Sequence, residues 1–145
     1  MAVDALLAYG TRLYYSTDGS TYTELSDVLK IGSPGDPEAP EVDVTPLTPT
    51  AAWREFRLGL NKAGEFSFDQ HFNKTRYSLL DGRRRLSTYW RIIYPDNATP
   101  ANASKVEFVG YIRKLTISEL GNPDDIVKIM CAVQLSGAVT FTQGS

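Results

Sequence analysis

Cysteine and histidine are nearly missing from these 145 residues, where Cys131 and His71 each stand alone. One cysteine excludes a disulfide within the chain and any multi-cysteine metal site. One histidine removes most metal and proton-relay chemistry, and any serine triad built on histidine would have to use His71. Long apolar runs are missing too. No segment approaches the ~20 residues that a membrane-spanning helix needs, and no basic-then-apolar leader opens the chain. Neither a membrane partner nor export is expected. There is no Gly-x-Ser-x-Gly elbow and no glycine-rich phosphate loop between a strand and a helix. Glu65 and Asp69 sit four apart in an alternating segment, about 13 Å by strand rise, too far for a glycosidase pair. Asp124 and Asp125 lack further oxygen ligands at calcium-loop spacing. No catalytic residue, cofactor or metal is therefore expected.

What is present suits an ordinary globular protein, with 42% hydrophobic and 22% charged residues. The length fits one domain whose folding hides roughly two-thirds of the unfolded chain's surface. The net charge of −2 conceals a segregation. Residues 1–50 hold eight acidic and two basic residues, 51–95 hold four acidic and nine basic, and 96–145 hold five acidic and four basic. Oppositely charged segments suit complementary surfaces between copies of one protein, although each segment could also be solvated locally. The run Arg83-Arg84-Arg85, with Lys74, Arg76 and Arg91 near it, has two readings: a nucleic-acid patch, or a helix end that meets an acidic partner. The overall acidity of the chain favours the second.

Hydrophobic periodicity outlines the elements. Thr11 to Tyr15 and Tyr22 to Leu25 flank an Asp18-Gly19 step, which predicts a hairpin. Val28 to Ile31 predicts a further strand. Five of the eight prolines then fall between Ser33 and Ala52, a density that no central strand or helix tolerates. Only Glu41 to Thr45, where Val42 and Val44 alternate with charges, is able to pair there. The 32 residues before this stretch are too few for a core of their own, so 33–52 reads as an extended loop or arm rather than an interdomain linker.

Beyond it, Trp53 to Leu58 alternates with Phe56 and Leu58 on the apolar side. Glu65 to Phe72 alternates more clearly still, with Phe66, Phe68 and Phe72 inward. Joined across Gly59 to Gly64, these two read as an antiparallel hairpin. Asn73 is placed to cap a helix over Lys74 to Leu86, with Tyr77, Leu79 and Leu80 toward the core and the three arginines in the last turn. Strands follow over Thr88 to Tyr94, Val106 to Glu119 and Ile126 to Leu135, and a short one over Ala138 to Thr142. In the third of these, Val127, Ile129, Cys131, Val133 and Leu135 share a face, which assigns Cys131 to packing. The sum is a mainly β fold, an antiparallel sandwich or barrel with one flanking helix.

Several short passages fall in a familiar order. Val42-Asp43-Val44-Thr45-Pro46-Leu47 precedes Phe56-Arg57-Leu58-Gly59-Leu60-Asn61-Lys62-Ala63-Gly64 and the strand Glu65 to Phe72; Val109-Gly110-Tyr111-Ile112 and Val133-Gln134-Leu135-Ser136-Gly137 come late. In this order and spacing, over about residues 28 to 142, the chain resembles the major tail tube proteins of long-tailed bacteriophages. The proline content of the arm departs from that family's usual hairpin.

The resemblance implies a β-sandwich with a flanking helix, assembled as hexameric rings that stack into a hollow tube in the virion tail, made in the bacterial host cytoplasm. It also implies a tape-measure protein, tail-tip and tail-terminator proteins as partners, and double-stranded DNA as transient cargo. On this view the proline-rich arm folds onto neighbouring subunits. Val42, Val44 and Leu47 would anchor it, and Asp36, Glu38, Glu41 and Asp43 would meet basic residues such as Arg54, Arg57, Arg83, Arg84 and Arg85. Duplex DNA carries one negative charge per ~1.7 Å and would be held by a basic lining, so Glu65, Ser67 and Asp69 are the candidate lumen residues. The alternative is a small β-sandwich binding module for carbohydrate or host-surface adhesion, using Trp53, Trp90 or exposed tyrosines.

Overall fold

The computed structural model describes residues 6–34, 39–48, 53–60 and 64–144. Its ten strands are β1 (Arg12–Ser16), β2 (Thr23–Leu25), β3 (Val28–Ile31), β4 (Glu41–Asp43), β5 (Phe56–Leu58), β6 (Glu65–His71), β7 (Ser87–Ile93), β8 (Lys105–Ile117), β9 (Lys128–Leu135) and β10 (Thr140–Thr142). One helix, α1 (Lys74–Gly82), lies between β6 and β7, and a single 3₁₀ turn covers Pro100–Asn102. Eight strands form one sheet in the order β2-β1-β7-β8-β9-β6-β3, with β10 also on β8, while β4 and β5 pair only with each other. Every pairing between these strands is antiparallel, and Arg84 adds an isolated parallel bridge to Ile112.

The large sheet is folded over on itself. In a flat sheet β6 and β7 would lie three strand spacings apart, about 14 Å. Yet the rings of Phe68 on β6 and Trp90 on β7 are 5.6 Å apart at their centroids, and Phe66 meets Phe108 of β8 edge-on at 4.9 Å. The long strand β8 makes this possible by serving both layers. Its first half, Lys105 to Tyr111, pairs with β7, and its second half, Gly110 to Ile117, pairs with β9 with a register shift between Ile112 and Lys114. Such an extra residue bends a strand and raises its twist. The result is a sandwich and not a closed barrel, since the end strands β2 and β3 do not pair with each other.

Alternation explains what fills the space between the layers. Phe66, Phe68, Trp90, Ile92, Phe108, Ile112, Leu115, Ile129, Cys131, Val133 and Leu135 form one buried cluster with Leu13, Leu25, Val106 and Leu80. Four of the five positions expected to share a face of β9 are in it, Ile129, Cys131, Val133 and Leu135. The β1–β2 hairpin forms as expected, closed by Ser16 and Asp18, whose oxygens accept from the amides of Gly19, Ser20 and Thr21. Gly19 there has φ +82°, a conformation that side chains disfavour.

Three expectations are corrected. The strand 56–58 does not pair with 65–71: β5 pairs with β4 of the arm, and β6 lies between β9 and β3. Phe56 and Leu58 therefore face solvent and not the core, at 54% and 72% exposure. The pairing partner of the strand at 41–43 accordingly lies beyond residue 52, at 56–58. Phe72 lies just past the end of β6 and is exposed, with its ring only 6.1 Å from that of Tyr77.

The helix also ends four residues early. Asn73 caps it as anticipated, its side chain accepting from the Thr75 amide at 2.9 Å, but Arg83 is the C-cap and no basic residue lies in the last turn. The Arg83 amide turns back to the Leu80 carbonyl at 3.0 Å. Leu80 is buried, and Tyr77 and Leu79 pack against the core.

Candidate functional site

The exposed two-stranded unit is built from a short alternating register: Glu41 opposite Leu58, Val42 opposite Arg57, and Asp43 opposite Phe56. All six of these residues are exposed. An isolated hairpin is marginal in water, so its closure needs local support. The Gly59 amide donates to the Pro40 carbonyl at 2.7 Å, and the Val44 amide donates to the Glu55 carbonyl at 2.9 Å. Thr45 closes the other end, its hydroxyl oxygen accepting from the Glu55 amide at 2.6 Å. Asp43 then accepts from the Thr45 amide at 3.0 Å and pairs with Arg54 at 3.0 Å. Those hydrogen bonds, from Thr45 first and then from Arg54, hold the Asp43 carboxyl below the usual carboxylate range.

Strand alternation gives this hairpin two different faces. One carries Glu41, Asp43, Arg54, Phe56 and Leu58; the other carries Val42, Val44, Trp53, Glu55 and Arg57. Each face mixes charge with large apolar groups that the subunit itself leaves uncovered: Val42, Val44, Leu47, Trp53, Phe56, Leu58 and Leu60 are all exposed. Burial of such side chains contributes roughly 1.5–3 kcal/mol each. None of the described residues supplies that burial here. Arm residues Asp36 and Glu38 lie outside the described residues.

The basic candidates separate on inspection. Arg54 is paired with Asp43 of its own hairpin, so that ion pair forms within the subunit. Arg83 donates to the Ser87 carbonyl at 2.7 Å and to Thr88 Oγ1 at 3.2 Å. Arg84 pairs with Asp81 at 2.7 Å and donates to the Leu115 carbonyl at 3.2 Å. Arg57 and Arg85 are exposed, and neither has an ion-pair partner among the described residues.

Glu65, Ser67 and Asp69 lie on the solvent face of β6, opposite Gln134, Ala132 and Met130 of β9. Glu65 pairs with Arg113 at 2.9 Å, and Lys30 of β3 lies opposite Asp69. Lys128 and Lys114 occupy the same face through their register with His71 and Ala132. The two carboxylates thus sit among four cations rather than on an acidic surface.

Other singled-out residues belong to the framework. Trp90 is 1% exposed inside the core and offers no face to a ligand, whereas Trp53 on the arm is 81% exposed. The main chain of His71 is engaged, its amide donating to the Asp27 carbonyl and its carbonyl accepting from Arg76. Among the described residues no cluster of His, Cys, Asp and Glu is arranged to hold a metal. Burial pushes the Cys131 thiol up to about 12. At pH 8 only about one thiol in ten thousand would then be ionised. The folded protein is expected to resist iodoacetamide at that pH and to be labelled stoichiometrically once unfolded, as read by intact mass.

Sequence reasoning missed β5 as part of the arm. The available signal was the matched length of Glu41-Val42-Asp43 and Phe56-Arg57-Leu58, each alternating charged with apolar residues.

No protein-family model matches the chain, and no curated protein matches its sequence. Solved structures do match its fold. A chain of the sheath-tube complex of the PVC extracellular contractile injection system, in its extended state, superimposes with a TM-score of 0.74 at 9% identity, covering 97% of this chain and 93% of that one. A chain from the tail of an empty gene transfer agent particle, refined helically with C6 symmetry, gives 0.61 at 20% identity over 95% and 99%. The SPP1 tail tube gives 0.61 at 10% identity over 97% and 80%. This chain therefore shares its overall fold with these chains.

Proposed function

We propose that this chain is a structural virion protein that polymerises as stacked rings into a hollow phage tail tube, through which DNA passes into the host. The observation that carries this is the self-standing hairpin, apolar on both faces and left uncovered by the described residues of its own chain, on a fold shared with chains of tail and tube assemblies. A repeated contact between unlike surfaces generates rings where the rotation closes and open stacks where it does not. The six-fold symmetry of the gene transfer agent tail supports hexameric rings here.

Residues 1–145 act as one tail-tube domain, in which the arm supplies the inter-subunit contact. Val42, Val44 and Leu47 insert against a neighbour, joined by Phe56 and Leu58. Glu65, Ser67 and Asp69 are the lumen residues of this proposal, on a face that they share with Lys30, Arg113, Lys114 and Lys128. Tape-measure, tail-tip and tail-terminator proteins are the partners such a tube requires. The role is structural, with no reaction assigned.

Negative-stain microscopy of the concentrated purified protein, with and without seeding by a native tail tip, tests the proposal. Rings or long cylinders are expected. Protein that stays monomeric under both conditions would overturn it.

A further inference from the structure

Arg85 is held in the left-handed region at φ +64°. For a residue with a β-carbon this conformation is disfavoured, and it recurs where structure serves function. Glycine is the usual solution just past a helix end. Here Arg85 is the third residue of a turn that the Leu86 amide closes on the Arg83 carbonyl at 3.2 Å, and its side chain gains no partner among the described residues. Its neighbours Arg83 and Arg84 bind the Ser87 and Leu115 carbonyls and Asp81, whereas Arg85 is exposed and has no hydrogen-bond or ion-pair partner among the described residues. Backbone strain thus displays one solvent-facing guanidinium beside two that are tied down.

The other half of the contact is on the arm. The hairpin face bearing Phe56 and Leu58 carries two carboxylates, Glu41 and Asp43, but only one guanidinium, Arg54, and Arg54 is committed to Asp43. Glu41 is left exposed and without an ion-pair partner among the described residues. The opposite face is balanced, with Glu55 and Arg57.

We infer that Arg85 is an inter-subunit contact residue, and that it receives the Glu41 carboxylate from the hairpin of a second copy. This rests on the proposed self-assembly and names the charged pair that aligns it. The strained turn aims the guanidinium outward, and the flanking Phe56 and Leu58 exclude water around the pair once docked. Desolvated charge pairs set register and slow dissociation more than exposed ones do.

The experiment measures the critical concentration for tube formation by sedimentation, and the unfolding midpoint of the unassembled subunit. The parent protein serves as the control for assembly itself. If it forms no tubes, the tail-tube proposal fails and this inference with it. With the parent assembling, R85E and E41R are each expected to raise the critical concentration roughly tenfold or more. The double variant R85E/E41R should return to within about threefold of the parent, and R85K should stay near it. R85G relieves the left-handed strain, so its unfolding midpoint should be no lower than the parent's while its assembly weakens. Assembly of R85E at the parent's concentration, a double variant no better than the worse single one, or a lowered midpoint for R85G would each overturn the pairing and leave the tube intact.

Discussion

Changing Phe56 and Leu58 together to aspartate is expected to abolish tube formation while shifting the subunit's unfolding midpoint by no more than about 2 °C. Both side chains are already in solvent in the subunit, so the substitution removes no core contact. In an assembled tube the same two positions lose roughly 3–6 kcal/mol of apolar burial and gain two carboxylates that would have to be desolvated. That amounts to a rise of at least a hundredfold in the critical concentration, beyond what purified protein reaches. Sedimentation and circular dichroism on one sample separate the two effects. Tubes at the parent's concentration would show that the hairpin is not the joint, and an unfolded variant would show that it belongs to the core after all.

Gly110→Val is expected to destabilise the subunit by about 3 kcal/mol or more, lowering the thermal midpoint by roughly 10 °C. Gly110 lies where β8 passes from one layer to the other, within both ladders. A β-carbon there would come within 2.6 Å of Val133 Cγ1 and 2.7 Å of the Gln134 carbonyl oxygen. Val133 is fully buried and the carbonyl belongs to a paired strand, so neither has room to yield. Gly82 is the matched control, because a β-carbon at that position meets nothing within 4 Å. Gly82→Ala should be neutral or up to about 1 kcal/mol stabilising. Equal effects at the two glycines would contradict the close approach of β8 and β9.

Periodicity carried the central strands because burial on one face and solvent on the other leave a mark at every second residue, as in Glu65 to His71 and Lys128 to Leu135. The same mark misled at Trp53 to Leu58. Alternation shows that a strand has two faces, but not which is covered; Phe56 and Leu58 are exposed among the described residues. The proline density between Ser33 and Ala52 held no sign that the pairing partner of Glu41–Asp43 lay at 56–58. The helix expected through Leu86 places the three arginines in its last turn, where cations complement the helix dipole. That reasoning could not register that Arg83 and Arg84 bind groups on β7 and β8 instead, nor that Arg85 turns left-handed. The folding-over of the sheet was legible only as an alternative between sandwich and barrel, since it depends on β8 taking different partners along its length.

The closure of the hairpin by Thr45 and Glu55 has a kinetic consequence. Were twenty residues to become ordered only at docking, their lost backbone entropy would be on the order of 20–40 kcal/mol, and each addition would wait for a rare conformer. In the proposed tube, a limb already braced at Pro40–Gly59 and Val44–Glu55 would meet a neighbour in nearly final shape. Tube growth should then follow collision frequency, with a short lag and little dependence on temperature.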